Sequence, residues 1–152
     1  MKKTTVSLFG HREIQELREL EKMLMTFITE LIKAEPYVSF LIGRNGEFDV
    51  YAASVIKRAQ KALGRENCEL VLVLPYLVSD FEFYEKYYDD IIIPEAVFGA
   101  YSKAAIELRN RWMVEQSDIL LFYVERNFGG AHKAMKYAEK LNKRIINLFE
   151  KL

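Results

Sequence analysis

Three short polar clusters, each containing glycine, follow runs of residues that read as buried β-strands. They are residues 10–12, 43–49 and 127–132. In α/β proteins, phosphates bind where a parallel strand ends and the next helix begins, because free backbone N–H groups and the helix dipole favour an anion there. If the three strand ends meet at one edge of a sheet, they form a pocket for a phosphate-bearing ligand.

The first cluster consists of Gly10, His11 and Arg12. A glycine at a strand end lets a ligand approach the backbone closely, and the N–H groups of a helix that starts there would point toward it. Arg12 offers a bidentate clamp for a phosphate. His11 is either a hydrogen-bonding partner for a phosphate or ribose oxygen, or a packing residue at the strand end.

The second cluster places two glycines, Gly43 and Gly46, on either side of Arg44 and Asn45. Two glycines at this spacing suit a tight turn with φ above zero and leave room for a phosphate or a sugar. We therefore expect all four residues to belong to the ligand site.

An acidic pair, Glu47 and Asp49, follows at the start of a predicted helix. Asp49 either accepts hydrogen bonds from ribose hydroxyls or complements the positive end of the helix dipole. Glu47 is likewise either a polar site residue or a first-turn helix residue. In an enzyme these two carboxylates would be the catalytic candidates, because they could stabilise an oxocarbenium-like centre or activate water.

In the third cluster, Gly129 and Gly130 at a helix start expose N–H groups to an anion, whereas Asn127 is either a ligand residue or a plain N-terminal cap. Arg109, on the preceding helical pattern, is a further ligand-binding candidate. The basic face of the last helix, with Lys133, Lys136 and Lys140, reads as a solvated surface, because no aromatic residues interleave with it. With 2 histidines and no metal-ligand spacing, the sequence predicts no metal site and no cofactor.

Composition limits the class of protein. A chain of 152 residues with 51% hydrophobic content fits one domain, residues 1–152. Lys plus Arg equals Asp plus Glu at 22 each, so the net charge argues against nucleic acid and a membrane surface as partners. The single cysteine, Cys68, and the lack of a long apolar run predict a cytoplasmic protein.

The clusters need a scaffold that brings the strand ends together. Five β-prone runs, at residues 4–9, 37–42, 69–74, 118–124 and 144–148, alternate with amphipathic helical patterns. This alternation predicts an α/β fold, a Rossmann-like doubly wound parallel sheet of about five strands in the order 3-2-1-4-5, with helices on both faces. The order places the topological switch point between the first and fourth strands, beside Gly10 and residues 127–132.

Residues 81–93 interrupt the alternation with a run of aromatic side chains. The run is either a lid whose rings stack on a nucleobase, or a small helix and an extra strand at a dimer interface. A homodimer is therefore left open by the sequence.

The clusters, in their order along the chain, resemble the SLOG superfamily, which joins the DprA/SMF-like proteins to the LOG-like phosphoribohydrolases. The resemblance rests on residues 9–12, on Gly43-x-x-Gly46-x-Phe48-Asp49, on residues 109–113 with 117–118, and on residues 129–131. It is greatest with small single-domain bacterial members. It implies a Rossmann-like fold with a nucleotide or nucleotide-derived ligand at the strand ends, held by seven residues: Gly10, Arg12, Gly43, Gly46, Asp49, Gly129 and Gly130.

LOG enzymes cleave an N-glycosidic bond with a P-G-G-x-G-T-x-x-E motif, whereas residues 127–133 lack its proline, its glycine-threonine pair and its glutamate. The sequence therefore favours binding or sensing of a nucleotide-derived small molecule. The alternative is an N-glycosidase that acts on a nucleoside phosphate.

Overall fold

The protein, described here from a computed structural model, is built around a six-stranded parallel sheet. The structure describes residues 2–44, 46–64 and 66–151. The strands are β1 (Lys3–Gly10), β2 (Tyr37–Ile42), β3 (Cys68–Val73), β4 (Asp90–Ile92), β5 (Ile119–Tyr123) and β6 (Arg144–Asn147). Their order is β4-β3-β2-β1-β5-β6, and every neighbouring pair is parallel.

Helices cover both faces of the sheet. They are α1 (Leu17–Ala34), α2 (Glu47–Leu63), α3 (Phe81–Tyr87), α4 (Ser102–Gln116) and α5 (Gly130–Lys140). Successive strand residues point to opposite faces, so that Leu8 and Leu121 pack with α1 and α2, whereas Phe9 and Phe122 pack with α4 and α5. Burial on both faces explains why the strands read as nearly continuous apolar runs.

The buried stripe of α1 is Leu20, Leu24, Ile28 and Ile32, at a spacing of four residues that keeps one side of the helix against the sheet. α4 differs, because its buried positions are Ala105, Arg109, Met113 and Val114. A guanidinium therefore occupies a position where an apolar stripe would place an aliphatic side chain.

The predicted α/β fold is confirmed, including the switch point, since β1 lies between β2 and β5. Two features differ from the expectation. The sheet has a sixth strand, β4, at the edge beside β3, because residues 81–93 form the helix α3 and this strand. The role of these elements in a dimer stays a prediction.

The second difference concerns α1, which begins at Leu17 and not beside Gly10. The interpretation of Gly10 as the residue before a helix start is therefore wrong. Residues 11–16 form a loop instead, and this loop is held by α2: the Ile14 N–H donates to Glu47 Oε2 at 3.1 Å. Among the described residues, no helix is long and apolar enough to cross a bilayer.

Candidate functional site

A cavity of about 370 Å³ lies at the switch point, between the carboxyl ends of β1 and β5. It brings together seven of the residues singled out in the sequence: Gly10, His11, Arg12, Asp49, Arg109, Gly129 and Gly130. They come from the end of β1 and the loop after it, the first turn of α2, helix α4 and the start of α5. Two of the three predicted strand ends, those of β1 and β5, meet at this concave site, while the described part of the second cluster contributes Asp49 alone. The cavity lies at the edge where parallel sheets bind ligands.

Other predicted ligand residues do not line this cavity: Gly43, Arg44, Gly46 and Asn127. Asn45 lies outside the described residues. Arg44 places its Cζ 5.6 Å from the centre of the Tyr84 ring, so it contacts α3. Asn127 is exposed and is not the N-cap of α5, which is Gly129. The interpretation of Asn127 as a helix cap is therefore wrong.

Two glycines of the second cluster lie next to lining residues of the cavity and leave space for them. A Cβ at Gly43 would lie 3.1 Å from Arg109 Nη1 and 3.1 Å from Asp49 Oδ2, so glycine leaves room for both side chains. Gly46 has φ of 110°, and a Cβ there would lie 2.6 Å from the Arg12 Cα. Because the Glu47 N–H also donates to the Arg12 carbonyl oxygen at 2.8 Å, the loops after β1 and β2 are fixed to each other.

Arg109 is 4% exposed and reaches the cavity from α4. Its Nη1 donates to the Val73 carbonyl oxygen at 2.9 Å, and its Nε donates to Asn110 Oδ1 at 2.9 Å. Burial lowers the pKa of the guanidinium from its ordinary value, while the nearby Asp49 carboxylate acts in the opposite direction. Arginine remains protonated at neutral pH, so the cavity contains a fixed buried cation.

His11 is also buried, and its Nε2 accepts hydrogen bonds from the backbone N–H groups of Glu125, at 3.0 Å, and Arg126, at 3.3 Å. A nitrogen that accepts two hydrogen bonds carries no proton, so the imidazole is neutral. Burial lowers the pKa of His11 and the Arg126 charge lowers it further, whereas Glu125 opposes this shift. The packing interpretation of His11 therefore fits its contacts, because it joins the end of β1 to the loop after β5.

The start of α5 forms the opposite wall of the cavity, through Gly129, Gly130 and Ala131. No side chain of a described residue caps this helix, and Gly129 has φ of 95°, a conformation that favours glycine. Gly130 lies against Asn110, since a Cβ at Gly130 would be 3.7 Å from Asn110 Nδ2. An uncapped helix start next to arginines is suited to an anion.

The acidic pair is divided by the structure. Glu47 is exposed, does not line the cavity, and accepts the hydrogen bond from Ile14 described above. Asp49 lies in the first turn of α2 and also lines the cavity close to Arg109. Among the described residues, no group of His, Cys, Asp and Glu side chains is placed to hold a metal ion.

The sequence did not single out two lining residues, Ile106 and Arg126. Asn110 and Phe128, which also line the cavity, lie within the motifs named above but were not assigned to the ligand site. Arg126 directly precedes the third cluster at a strand end, which is the signal that singled out Arg12. Its Cζ lies 5.6 Å from the centre of the Phe128 ring, and Phe128 is 62% exposed at the rim. Nothing in the local sequence distinguishes Ile106 from other apolar residues of its helix.

No family model matches the chain, and no curated protein matches it by sequence. Solved structures do match the sheet and its helices. DNA processing protein A (DprA) from Streptococcus pneumoniae has a TM-score of 0.68 and 12% identity, covering 93% of this chain and 49% of that one. The fold is similar to that of DprA.

DprA from Helicobacter pylori, whose mode of binding single-stranded DNA is described as unique, has a TM-score of 0.64 and 14% identity. The match covers 93% of this chain and 63% of that one, so this chain spans less than two thirds of either DprA. At these identities the likeness shows the fold alone. It supports the DprA-like part of the resemblance, while membership of the SLOG superfamily and the LOG-like part stay predictions.

The expectation that nucleic acid is not a partner is wrong, because DprA from Helicobacter pylori has this fold and binds single-stranded DNA. The expectation relied on a net charge of zero, which sums over the whole surface. A ligand responds to the local potential, and here Arg12, Arg109 and Arg126 meet at one cavity. A neutral chain can therefore present a cationic site.

Proposed function

We propose that this protein binds a nucleotide through its phosphate in the cavity between β1 and β5. The observation that supports the proposal is the convergence of Arg12, Arg109 and Arg126 with the uncapped start of α5. Three guanidinium groups and free backbone N–H groups match the charge and the acceptor oxygens of a phosphate. The one carboxylate among the described lining residues, Asp49, lies beside Arg109.

The remaining lining residues suit the other parts of a nucleotide. The exposed ring of Phe128 lies at the rim, where a base can stack on its face with little selectivity between bases. Asp49 can accept hydrogen bonds from sugar hydroxyls. The cavity volume of about 370 Å³ is within the range of small-molecule sites.

The same contacts favour binding over cleavage of an N-glycosidic bond. Glycoside hydrolysis usually requires two carboxylates that flank the bond. Here Glu47 is directed to the N–H of Ile14 and does not line the cavity, so Asp49 is left as the single carboxylate of the described lining. We therefore retain the binding function and place hydrolysis second. The cytoplasmic location and the single domain remain predictions.

The proposal is tested by calorimetric titration of the protein with nucleoside 5′-monophosphates and with the corresponding nucleosides. We expect the monophosphates to bind and the nucleosides to bind much more weakly. Arg12→Gln should reduce monophosphate affinity about tenfold or more, because a hydrogen bond to a charged group contributes about 1.5–3 kcal/mol. Chromatography of the same mixtures measures any released base.

Arg18→Gln is the matched control, since Arg18 is an exposed arginine of α1 that does not line the cavity. It removes the same charge and should leave the affinity unchanged. Equal losses of affinity in both variants would mean that binding depends only on the overall charge of the protein. The assignment of Arg12 to the site would then be wrong. Release of free base by the wild-type protein would show that it is an N-glycosidase and not a binding protein.

A further inference from the structure

A second concave surface, here called the basic groove, runs between α4 and α5 with a volume of about 700 Å³. Its described lining includes five basic side chains: Lys103 and Arg111 from α4, and Lys133, Lys136 and Lys140 from α5. Glu107 is the one acidic residue of this described lining, and its carboxylate pairs with Arg111 at 3.2 Å. The sequence interpretation of the α5 lysines as a plain solvated face did not include these neighbours on α4.

Much of this charge is not neutralised by the protein. Lys103, Lys133 and Lys140 form no ion pair with another described residue. Lys136 pairs with Glu139 at 3.6 Å on an exposed surface, where such a pair is weak. Charges of one sign on a concave surface concentrate the potential, so the groove attracts an anion from solution.

The groove supplies charge but no free ring on which a base could stack. Tyr137 is the one Phe, Tyr or Trp residue of its described lining, and the Arg111 Cζ already lies 5.3 Å from the centre of that ring. His132 also lines the groove, and its buried Nδ1 has no hydrogen-bond partner within the described part of the chain. These groups are suited to phosphate oxygens and not to a second nucleoside.

The basic groove is continuous with the cavity between β1 and β5, because the two share four lining residues: Ile106, Asn110, Gly129 and Gly130. Lys133 is three residues beyond Gly130, and Lys103 is three residues before Ile106, so each lies about 4.5 Å along its helix from a shared residue. These two lysines form the near end of the groove. Its far end, with Lys136 and Lys140, is about 9–15 Å beyond Gly130.

A phosphate chain that starts in the cavity enters the near end of the groove first. Successive phosphates of a phosphoanhydride chain are joined through a single oxygen atom, so the second and third phosphates lie close to the first. A nucleotide with its first phosphate at the start of α5 therefore brings the next two toward Lys103 and Lys133. Lysine binds phosphate as a flexible point charge, which does not require the fixed geometry of an arginine fork.

We propose that the near end of the basic groove binds the second and third phosphates of a nucleoside triphosphate whose first phosphate lies in the cavity. This inference rests on the proposed function, and it names the ligand class: nucleotides that carry a phosphoanhydride chain. Proteins hold Mg²⁺ through carboxylates together with phosphates, whereas the one described carboxylate of the groove pairs with Arg111. Binding of the chain therefore relies on lysine charge and does not require Mg²⁺.

The test compares double variants that remove the same charge. The near-end variant combines Lys103→Gln and Lys133→Gln. The control variant combines Lys22→Gln and Lys61→Gln, which are exposed lysines of α1 and α2 on the other face of the sheet. The probes are adenosine mono-, di- and triphosphate and inorganic tripolyphosphate. Calorimetric titration in the presence of EDTA, at constant ionic strength, measures the affinity for each probe.

We expect the wild-type protein to bind adenosine triphosphate about tenfold more tightly than the monophosphate, with the diphosphate between them. The near-end variant should lose most of this gain, while its affinity for the monophosphate stays unchanged. The control variant should behave as wild type. A far-end variant, Lys136→Gln with Lys140→Gln, should lose less triphosphate affinity than the near-end variant, because those lysines lie farther along α5.

Equal affinities of the wild-type protein for the mono- and triphosphate overturn the inference, as does a near-end variant that retains the triphosphate affinity. Equal losses in the near-end variant and in either of the other two also overturn it, since they report only overall charge. Tripolyphosphate that binds as tightly as adenosine triphosphate would assign the groove to a free phosphate chain, against the inference. In each of these cases the proposed function survives, provided that the monophosphate binds and Arg12→Gln weakens it. If no adenosine phosphate binds the wild-type protein, the proposed function itself fails.

Discussion

Arg109 of α4 is bonded to Val73, the last residue of β3, through a hydrogen bond of 2.9 Å from Nη1 to the carbonyl oxygen. This bond and the one from Nε to Asn110 fix the guanidinium before a ligand arrives. A cation held in place loses little conformational entropy on binding, so less of its attraction to a phosphate is offset and more of it contributes to the binding free energy. The structure thus accounts for an arginine on the buried face of a helix by its position in the site.

Replacing Arg109 by methionine should separate binding from stability. Arg109→Met removes a buried charge, which relieves its desolvation, and it also leaves the Val73 carbonyl oxygen without this donor. We expect the free energy of unfolding, measured by urea denaturation, to fall by about 1–3 kcal/mol, because the relief of desolvation offsets only part of the cost of the unpaired carbonyl oxygen. Monophosphate affinity should fall tenfold or more. A large loss of stability with unchanged affinity would make Arg109 a structural residue.

Two alternative roles of Asp49 can be distinguished with a ligand whose sugar is modified. If its carboxylate accepts hydrogen bonds from ribose hydroxyls, Asp49→Asn should weaken the binding of adenosine monophosphate. The same substitution should barely affect the binding of the 2′,3′-dideoxy analogue, which lacks those hydroxyls. If Asp49 acts only as the counter-charge of Arg109, both ligands should change by the same factor. We expect the first result, with a difference of about threefold to tenfold from one hydrogen bond.

His11 should make stability depend on pH. Its pKa in the folded state is below the ordinary value near 6.5, so the unfolded chain binds the proton more readily. The stabilisation is therefore fully present above pH 6.5 and is lost as the pH falls through 6.5 toward the lower folded-state value. The slope contributed by one proton is at most about 1.4 kcal/mol per pH unit.

Urea denaturation between pH 7.5 and 5.5 measures this effect. His11→Gln should flatten the pH dependence, since the glutamine carbonyl accepts hydrogen bonds without titrating. His132→Gln is the matched control, because His132 is the other histidine and accepts no bond from the β5–α5 loop among those described. Equal pH slopes in wild type and His11→Gln would contradict the account.

Gly10 should be required for packing as well as for the site. A Cβ at Gly10 would lie 2.1 Å from Phe48 Cγ, and Phe48 is fully buried in the core. We expect Gly10→Ala to reduce the free energy of unfolding by roughly 1–3 kcal/mol through overpacking. In a Phe48→Leu background the same substitution should cost clearly less, because the smaller side chain leaves space. An additive double-mutant cycle would show that the two positions are not coupled.

The sheet, its order and its switch point could be predicted because all three follow from the alternation of apolar strands with amphipathic helices. β4 was only one of two alternatives for residues 81–93, since Asp90–Ile92 is three residues long and follows an aromatic run that also fits a lid. The start of α1 was missed for a different reason. The loop of residues 11–16 is held by Glu47, which is distant in sequence, and periodicity does not report such contacts.

The lining of the candidate site was predictable where polar residues follow a strand end, as for Gly10, Arg12 and Gly129. The sequence indicated Arg109 as a ligand residue only weakly, because an arginine in a helix is usually exposed to solvent. Only the packing of α4 shows that this one is buried. The groove between α4 and α5, which Lys103 and Lys133 both line, could not be predicted for the same reason. Its charges are divided between α4 and α5, and only the tertiary structure places Lys103 and Lys133 on one surface.

The proposed function requires a nucleotide phosphate to bind at the start of α5. The most direct measurement is an NMR titration of ¹⁵N-labelled, assigned protein with a nucleoside monophosphate. We expect the amide signals of Gly129, Gly130 and Ala131 to shift saturably, and the nucleoside without phosphate to leave them in place, because N–H groups that donate to a phosphate are strongly deshielded. Saturable shifts confined to other parts of the sheet, or none at concentrations that saturate the calorimetric signal, would contradict the account.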